Sequence, residues 1–251
     1  MDEFRDEVRT AAGHRPWPRP SVPWAMTQTW HDVLFAHWPV ATSIVRALVP
    51  PSFAVEEFEG TAWVSVVAFG ITNLRIRGLP ALPGLSSMAE LNVRSYVDVG
   101  GRPGVYFFSL DASNEVLARG GRWFTNLPYV PAEMEVTKDG EDIRFLSARP
   151  DGSADLDMTY RPDGDPAVAA PRSLDAFVAE RYCLYHFDRA RRPYRLEIHH
   201  PPWRLQPARC AIRTNTMGAA SGVPMQSAPS IVRFAKRQDV VAWPPTRLDQ
   251  T

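Results

Sequence analysis

Cysteine is scarce in this chain of 251 residues, with only Cys183 and Cys210. Two thiols do not make a disulfide framework, and both are expected to be reduced, as in cytosolic proteins. Lysine is equally scarce. Arginine supplies 26 of the 28 basic residues, leaving Lys138 and Lys236 as the only candidates for amine chemistry. The 28 basic side chains balance 28 acidic ones. A zero net charge argues against a basic nucleic-acid binder and against a protein held on membranes by charge. No apolar run approaches the roughly 20 residues of a membrane-spanning helix, and residues 1–13 lack the apolar core of a secretion signal. The expected setting is therefore cytoplasmic. Also missing are a phosphate-binding Gly-rich loop ending in Gly-Lys-Ser/Thr, G-x-G-x-x-G, G-x-S-x-G, H-E-x-x-H and C-x-x-C. No cofactor and no metal site is implied.

Proline, in contrast, is abundant. Its 24 copies, with 15 glycines, exclude a helical bundle. Hydrophobic residues at 45% suffice for a sizeable core. Residues 14–24, HRPWPRPSVPW, read as an extended arm lying on the domain or as a loose tail. The expected organisation is an arm over residues 1–23 and one domain over 24–245. Residues 1–20 hold few apolar side chains besides Phe4, Val8 and Trp17. Their removal is expected to cost less than about 1 kcal/mol.

Helical spacing covers residues 39–49, stopped by Pro50-Pro51. Ser113 or Asn114 can cap a short helix that Gly120-Gly121 would weaken or end, and Ser173 caps another running to about Arg181. The other periodic segments are beta-like. Thr61 to Phe69 is nearly continuously apolar, as in a buried strand. Met88 to Val99 and Val105 to Leu110 flank the turn GGRPG and form an antiparallel pair. Further strands are expected at 129–137, 143–148, 156–160, 184–187 and 194–199. A last strand pair turns around Arg237-Gln238, which puts Lys236 near a hairpin tip and Lys138 in an exposed Lys-Asp-Gly turn. Strand and helix do not alternate regularly. The fold class is mainly β (α+β), a barrel-like antiparallel sheet with a few short helices.

The strongest candidate for chemistry is the stripe Glu90, Asn92, Arg94, Tyr96. Period two places all four on one face of one strand. That face meets either solvent or a barrel lumen, and alternation alone leaves both open. In a lumen the carboxylate and guanidinium imply a binding site or a structural ion pair. Tyr106 and Phe108 alternate on the partner strand, most simply as core aromatics. His199-His200 reads as a strand end with one packed and one exposed imidazole, since neighbours on a strand face opposite ways. Arg181 reads as a cation on the last carbonyls of a helix. Arg189, Arg191, Arg192 and Arg195 read as a solvated basic loop.

The string AELNVRSYVDVGGRPGVYFFSLDA at 89–112 resembles the signature of the YqjF-like proteins, a bacterial family of uncharacterised function. HWPV at 37–40, LVP at 48–50, GTAWVSVVAF at 60–69, NLPY at 126–129, ERYCLY at 180–185 and HHPPWRL at 199–205 extend the resemblance over about residues 24–243. That family is similar in fold to acetoacetate decarboxylase. The resemblance implies a closed, double-layered antiparallel barrel with a central cavity, and favours the lumen for the Glu90 stripe. In the decarboxylases the catalytic lysine lies in a Pro-Lys-Lys sequence on a strand. The comparable stretch here is Leu127-Pro128-Tyr129-Val130, which places Tyr129 at the lysine position and Glu90 near an active-site glutamate. The resulting expectation is a small-molecule-binding barrel for a carbonyl or carboxylate-bearing ligand. Glu90 would be its acid/base, and Arg94, Tyr96, Tyr106 and Tyr129 its pocket. Any chemistry would be lyase- or isomerase-like and would not proceed through an imine. A non-catalytic ligand sensor and a structural oligomer module are the alternatives. The expected partner is a small molecule, not nucleic acid or membrane, and a homo-oligomer is left open.

Overall fold

The computed structural model describes residues 4–9, 13–80, 84–188, 190–225 and 227–248. Among these residues the strands are β1 Met26–Val40, β2 Ala54–Val55, β3 Ala62–Ile76, β4 Met88–Asp98, β5 Pro103–Ala112, β6 Tyr129–Pro131, β7 Glu133–Asp139, β8 Asp142–Ala148, β9 Asp155–Pro162, β10 Ala167–Val168, β11 Cys183–Phe187, β12 Pro193–His199, β13 Arg204–Asn215, β14 Ile231–Ala242 and β15 Thr246–Arg247. The helices are α1 Thr42–Leu48, α2 Glu115–Thr125, α3 Leu174–Ala179 and α4 Met217–Ala220.

The apolar run in β3 is buried along most of its length because the strand is covered on both sides. Strands β12, β11, β5, β4, β3, β1 and β14 are hydrogen-bonded in that order. β14 meets β12 again through Ile198–Ala242 and His199–Val241, so the order returns on itself as a ring. From β14 the sheet continues through β13, β9, β8 and β7. This extension forms a second layer. Its Ile143, Phe145, Leu156, Met158 and Tyr160 share one apolar core with Leu34, Ala36, Leu91 and Val93 of the ring. A second cluster lies on the other face of β4 and includes Tyr96, Val105, Phe107 and Leu110. Both faces of β4 are therefore buried, which excludes the solvent reading of its polar stripe. The pairing is mainly antiparallel, but β11 and β6 each run parallel to β5.

Several local expectations are corrected. α2 runs through Gly120-Gly121 and stops at Asn126, whose φ of 57° is left-handed. Asn114 is its cap, accepting from the Leu117 amide at 3.0 Å. The 12 residues of β14 form one continuous strand with no hairpin at Arg237-Gln238. Lys236 lies inside it, 2.8 Å from Asp32, and Lys138 bonds the other oxygen of the same carboxylate. Asp32 sits at a bulge in β1 with φ 50°. His199 and His200 are both buried, not one packed and one exposed. In the basic loop, Arg192 pairs with Asp188 and Arg195 with Glu197; Arg189 lies outside the described residues. Cys183 and Cys210 are free, with burial raising both thiols, to about 12 and about 11.

The N-terminal segment is also more than a loose tail. Val8 is buried with Val241 and Trp243. Arg15 is buried too, its Nη2 2.9 Å from Glu197 and its Nη1 donating to the Ile198 carbonyl. The Trp17 indole donates to the same glutamate at 3.2 Å. Glu197 also meets Arg102 and Arg195, so losing Arg15 does not strand it. Deleting residues 1–20 is nevertheless expected to cost roughly 3–5 kcal/mol, from the burial of Val8 and the charge-assisted bonds of Arg15. Urea denaturation measures it, and a cost under about 1 kcal/mol would restore the loose arm.

Candidate functional site

Inside the ring is a cavity of about 70 Å³, room for a few waters or a small organic molecule. β4 supplies Glu90, Asn92 and Arg94 to its wall. Tyr129 of β6 stands beside Glu90, its hydroxyl donating to Oε2 at 3.2 Å. Arg181, just past the end of α3, and Gln28, Trp30, His200 and Trp203 also line it, with Thr125 and the rings of Phe35, Phe69 and Phe107.

Tyr96 shares the Glu90 face but does not line the cavity. Its ring packs on Phe177 at 5.0 Å, and its hydroxyl is 2.6 Å from Ser65, which is itself 2.6 Å from His37 Nδ1. Tyr106 is outside as well, and a bulge explains why. Asn92 opposes Leu110 and Val93 opposes Ser109, but Arg94 opposes Phe107, leaving Phe108 extra on β5. One extra residue inverts the alternation. Val105 and Phe107 turn inward, and Tyr106 turns to Phe53 and Phe108. The structure thus puts Glu90, Arg94 and Tyr129 in one cavity wall, keeps Tyr96 behind it with its ring 6.0 Å from the Arg94 guanidinium, and turns Tyr106 away.

No ion pair joins Glu90 to Arg94 among the described residues. Four residues of strand put their backbones about 13 Å apart, with Asn92 between. Arg94 Nη2 donates to the Val178 carbonyl at 3.1 Å, and its guanidinium lies over Phe35 at 5.5 Å. Its Nε has no hydrogen-bond partner, nor have Asn92 Oδ1 and Trp203 Nε1. Arg94 is 8% exposed and has no carboxylate within 4.0 Å among the described residues. Such a cation suits an anionic guest. Arg181, by contrast, pairs with Glu56 at 2.5 Å and also donates to the Phe177 carbonyl, the helix-end role expected of it. Among the described residues no three His, Cys, Asp or Glu side chains group to hold a metal ion.

Burial pushes Glu90 up to about 7, against smaller opposing effects of Tyr129, Asn92 and Arg94. Burial raises Tyr129 as well, and the Glu90 charge adds to it. An unfolded glutamate ionises near 4.5 while Glu90 keeps its proton to about 7. The native state therefore holds the extra proton in this window, and the Glu90 contribution to stability falls as pH rises through it. His37 and His186 act oppositely. Burial lowers them to about 3 and about 4, so their contribution is full above 6.5 and is lost on acidification. Comparison with Glu90→Gln isolates the first slope. The wild-type minus variant unfolding free energy is expected to fall by about 3 kcal/mol between pH 4 and 8. Urea melts at both ends measure it, and a pH-independent difference would place Glu90 in contact with water.

Sequence reasoning missed Gln28, Trp30 and Trp203 and treated Arg181 and His200 as structural. Of the three missed residues only Trp203 lay within a quoted motif, HHPPWRL, where no role was assigned to it.

No helix among the described residues is long and apolar enough to cross a membrane. In fold, the chain is similar to the enduracididine biosynthesis enzyme MppR complexed with pyruvate, at 11% identity and a TM-score of 0.64, covering 91% of this chain and 92% of that one. It is likewise similar to acetoacetate decarboxylase from Legionella pneumophila, at 13% identity and a TM-score of 0.61, covering 94% and 93%. At these identities the likeness shows the acetoacetate decarboxylase-like fold alone. In sequence it is 46% identical to the uncharacterized protein YqjF of Bacillus subtilis strain 168, over 89% of this chain and 94% of that protein. Residues 27–239 match the DUF2071 family of uncharacterized conserved proteins, and the chain belongs to that family.

Proposed function

We propose that the cavity binds a small molecule bearing a carboxylate next to a carbonyl group, and that Glu90 moves a proton on it without an imine. The observation that carries this reading is Arg94, buried in the cavity wall with an unpartnered Nε. Opposite charge is its natural complement, and a bidentate carboxylate fits a guanidinium. Farther along β4, Glu90 is the group suited to proton transfer near neutrality. In the proposed step the ionised Glu90 takes a proton from the carbon beside the carbonyl. The C–H electron pair becomes the enolate double bond, and the carbonyl electrons move to oxygen. The N–H groups of Arg94 and Trp203 receive the carboxylate and that oxygen. Reversal returns the proton, so no co-reactant is needed.

The lysines support the imine-free part. Both are held by Asp32, and neither lines the cavity. Tyr129 cannot form an imine. Borohydride reduction with pyruvate or acetoacetate is expected to leave the intact mass unchanged. A stoichiometric increase mapping to Lys236 would overturn this.

Calorimetric titration with a panel of 2-oxo and 3-oxo acids tests binding. At least one is expected to bind, and Arg94→Met to weaken it at least about 30-fold, since charge-assisted bonds are the strong ones. Equal binding by Arg94→Met would remove the proposed anion site.

A further inference from the structure

Beside the cavity lies an open apolar groove of about 360 Å³. Leu74, Ile76, Leu79, Leu117, Trp123 and Phe124 line it, and Arg75 is the one charged residue among its described lining. Trp123 is 84% exposed, Leu79 55% and Phe124 53%. Large apolar side chains clustered in the open mark a binding surface more often than scattered single ones do.

The groove adjoins the cavity. Met26, Gln28, Thr125 and Tyr129 line both. α2 forms one wall of the groove and is held close to Tyr129. A Cβ at Gly121 would lie 3.0 Å from the Tyr129 ring, so a glycine there permits the approach. Thr125 turns its hydroxyl back to the Gly121 carbonyl at 2.6 Å. Gln28 accepts from Trp30 at 2.6 Å. Among the described residues the shared wall of Met26, Gln28, Thr125 and Tyr129 thus carries no charged side chain, and its Thr125 and Gln28 polar groups are engaged within the protein. A methylene chain passes such a wall with little desolvation of polar groups.

We propose that the ligand has an apolar tail, its acid head in the cavity at Arg94 and its chain lying past this shared wall in the groove beneath Trp123 and Phe124. The inference rests on the acid-binding reading above. It narrows the ligand from a short oxo acid to a longer-chain one, because 70 Å³ suits only a head group while the groove has space for a chain.

The test is a chain-length series of straight 2-oxo acids from three to eight carbons, titrated by calorimetry. Affinity is expected to rise about three- to fourfold per methylene once the chain reaches the shared wall. In Phe124→Glu the rise per methylene is expected to flatten. The readout is a slope within one variant, so it does not depend on small changes in stability. If short acids bind through Arg94 but affinity does not grow with length, the tail is overturned and the acid site stands. If no acid of any length binds, both fall. A flat slope with a dimer that Phe124→Glu dissociates in sedimentation would assign the groove to a second copy. A flat slope with binding to phosphatidylcholine vesicles would assign it to a lipid surface. Either result overturns the proposal.

Discussion

Replacing Glu90 with Gln is expected to slow exchange of the protons beside the carbonyl of a bound oxo acid by 10²- to 10⁴-fold, a range typical of a lost general base. The measurement is proton NMR of pyruvate or a longer 2-oxo acid with the protein in D₂O. Wild-type exchange is expected to rise with pH through about 7, where Glu90 ionises. Glu90→Gln removes both the rate and the inflection. Tyr129→Phe gives a second, sharper reading. The phenol donates to Glu90 Oε2 and favours its ionised form. Without that bond the inflection moves to higher pH, while a merely structural tyrosine would leave it in place. Exchange in Glu90→Gln within threefold of wild type would deny the residue a role in proton transfer, and the protein would then be a binder, not an enzyme of this kind.

The second large effect concerns the ring. Gly104 begins the inner stretch of β5, where β11 joins through only Leu184–Val105 and Tyr185–Tyr106. A Cβ at Gly104 would press on the Cys183 carbonyl and lie 2.6 Å from the Tyr185 ring. Tyr185 is fully buried and its hydroxyl donates to the Arg102 carbonyl at 2.7 Å, so neither obstacle moves easily. Gly104→Ala is expected to destabilise by about 3 kcal/mol, at the upper end of overpacking costs. Equilibrium urea unfolding measures it. A cost under about 1 kcal/mol would mean that β5 and β11 are not packed this closely.

Much of the ring was legible because its strands bury both faces with ordinary apolar residues. β3 read as a strand for that reason; β4 read as one from its clean alternation, and the same period-two stripe located Glu90 and Arg94 on one face. β1 was not legible. Its Thr29, His31, Asp32 and His37 interrupt the apolar pattern, yet all sit within the sheet, bonded to Asp239, Thr72, the two lysines and Ser65 respectively. Polar pairing across strands leaves no periodic trace in a single sequence. The bulge at Phe108 was hidden for a related reason: VYFFSL reads the same whichever alternate residues face inward. Pro207 and the exposed Arg204, Arg209 and Arg213 obscured β13 too, since its outer face is solvated. The resemblance supplied what periodicity lacked, a cavity and the neighbourhood of Tyr129 and Glu90. It did not assign Trp203 a place in the cavity, although HHPPWRL contains it, because a motif string does not say which way a side chain faces; the open groove under α2 belongs to no motif.

The most direct measurement is a crystal structure of the protein soaked with a saturating 2-oxo acid. The account predicts electron density in the cavity with the acid's carboxylate about 3 Å from the Arg94 guanidinium and its carbonyl-bearing carbon turned toward Glu90. Density that is absent at saturation, or a carboxylate bound away from Arg94, would contradict it.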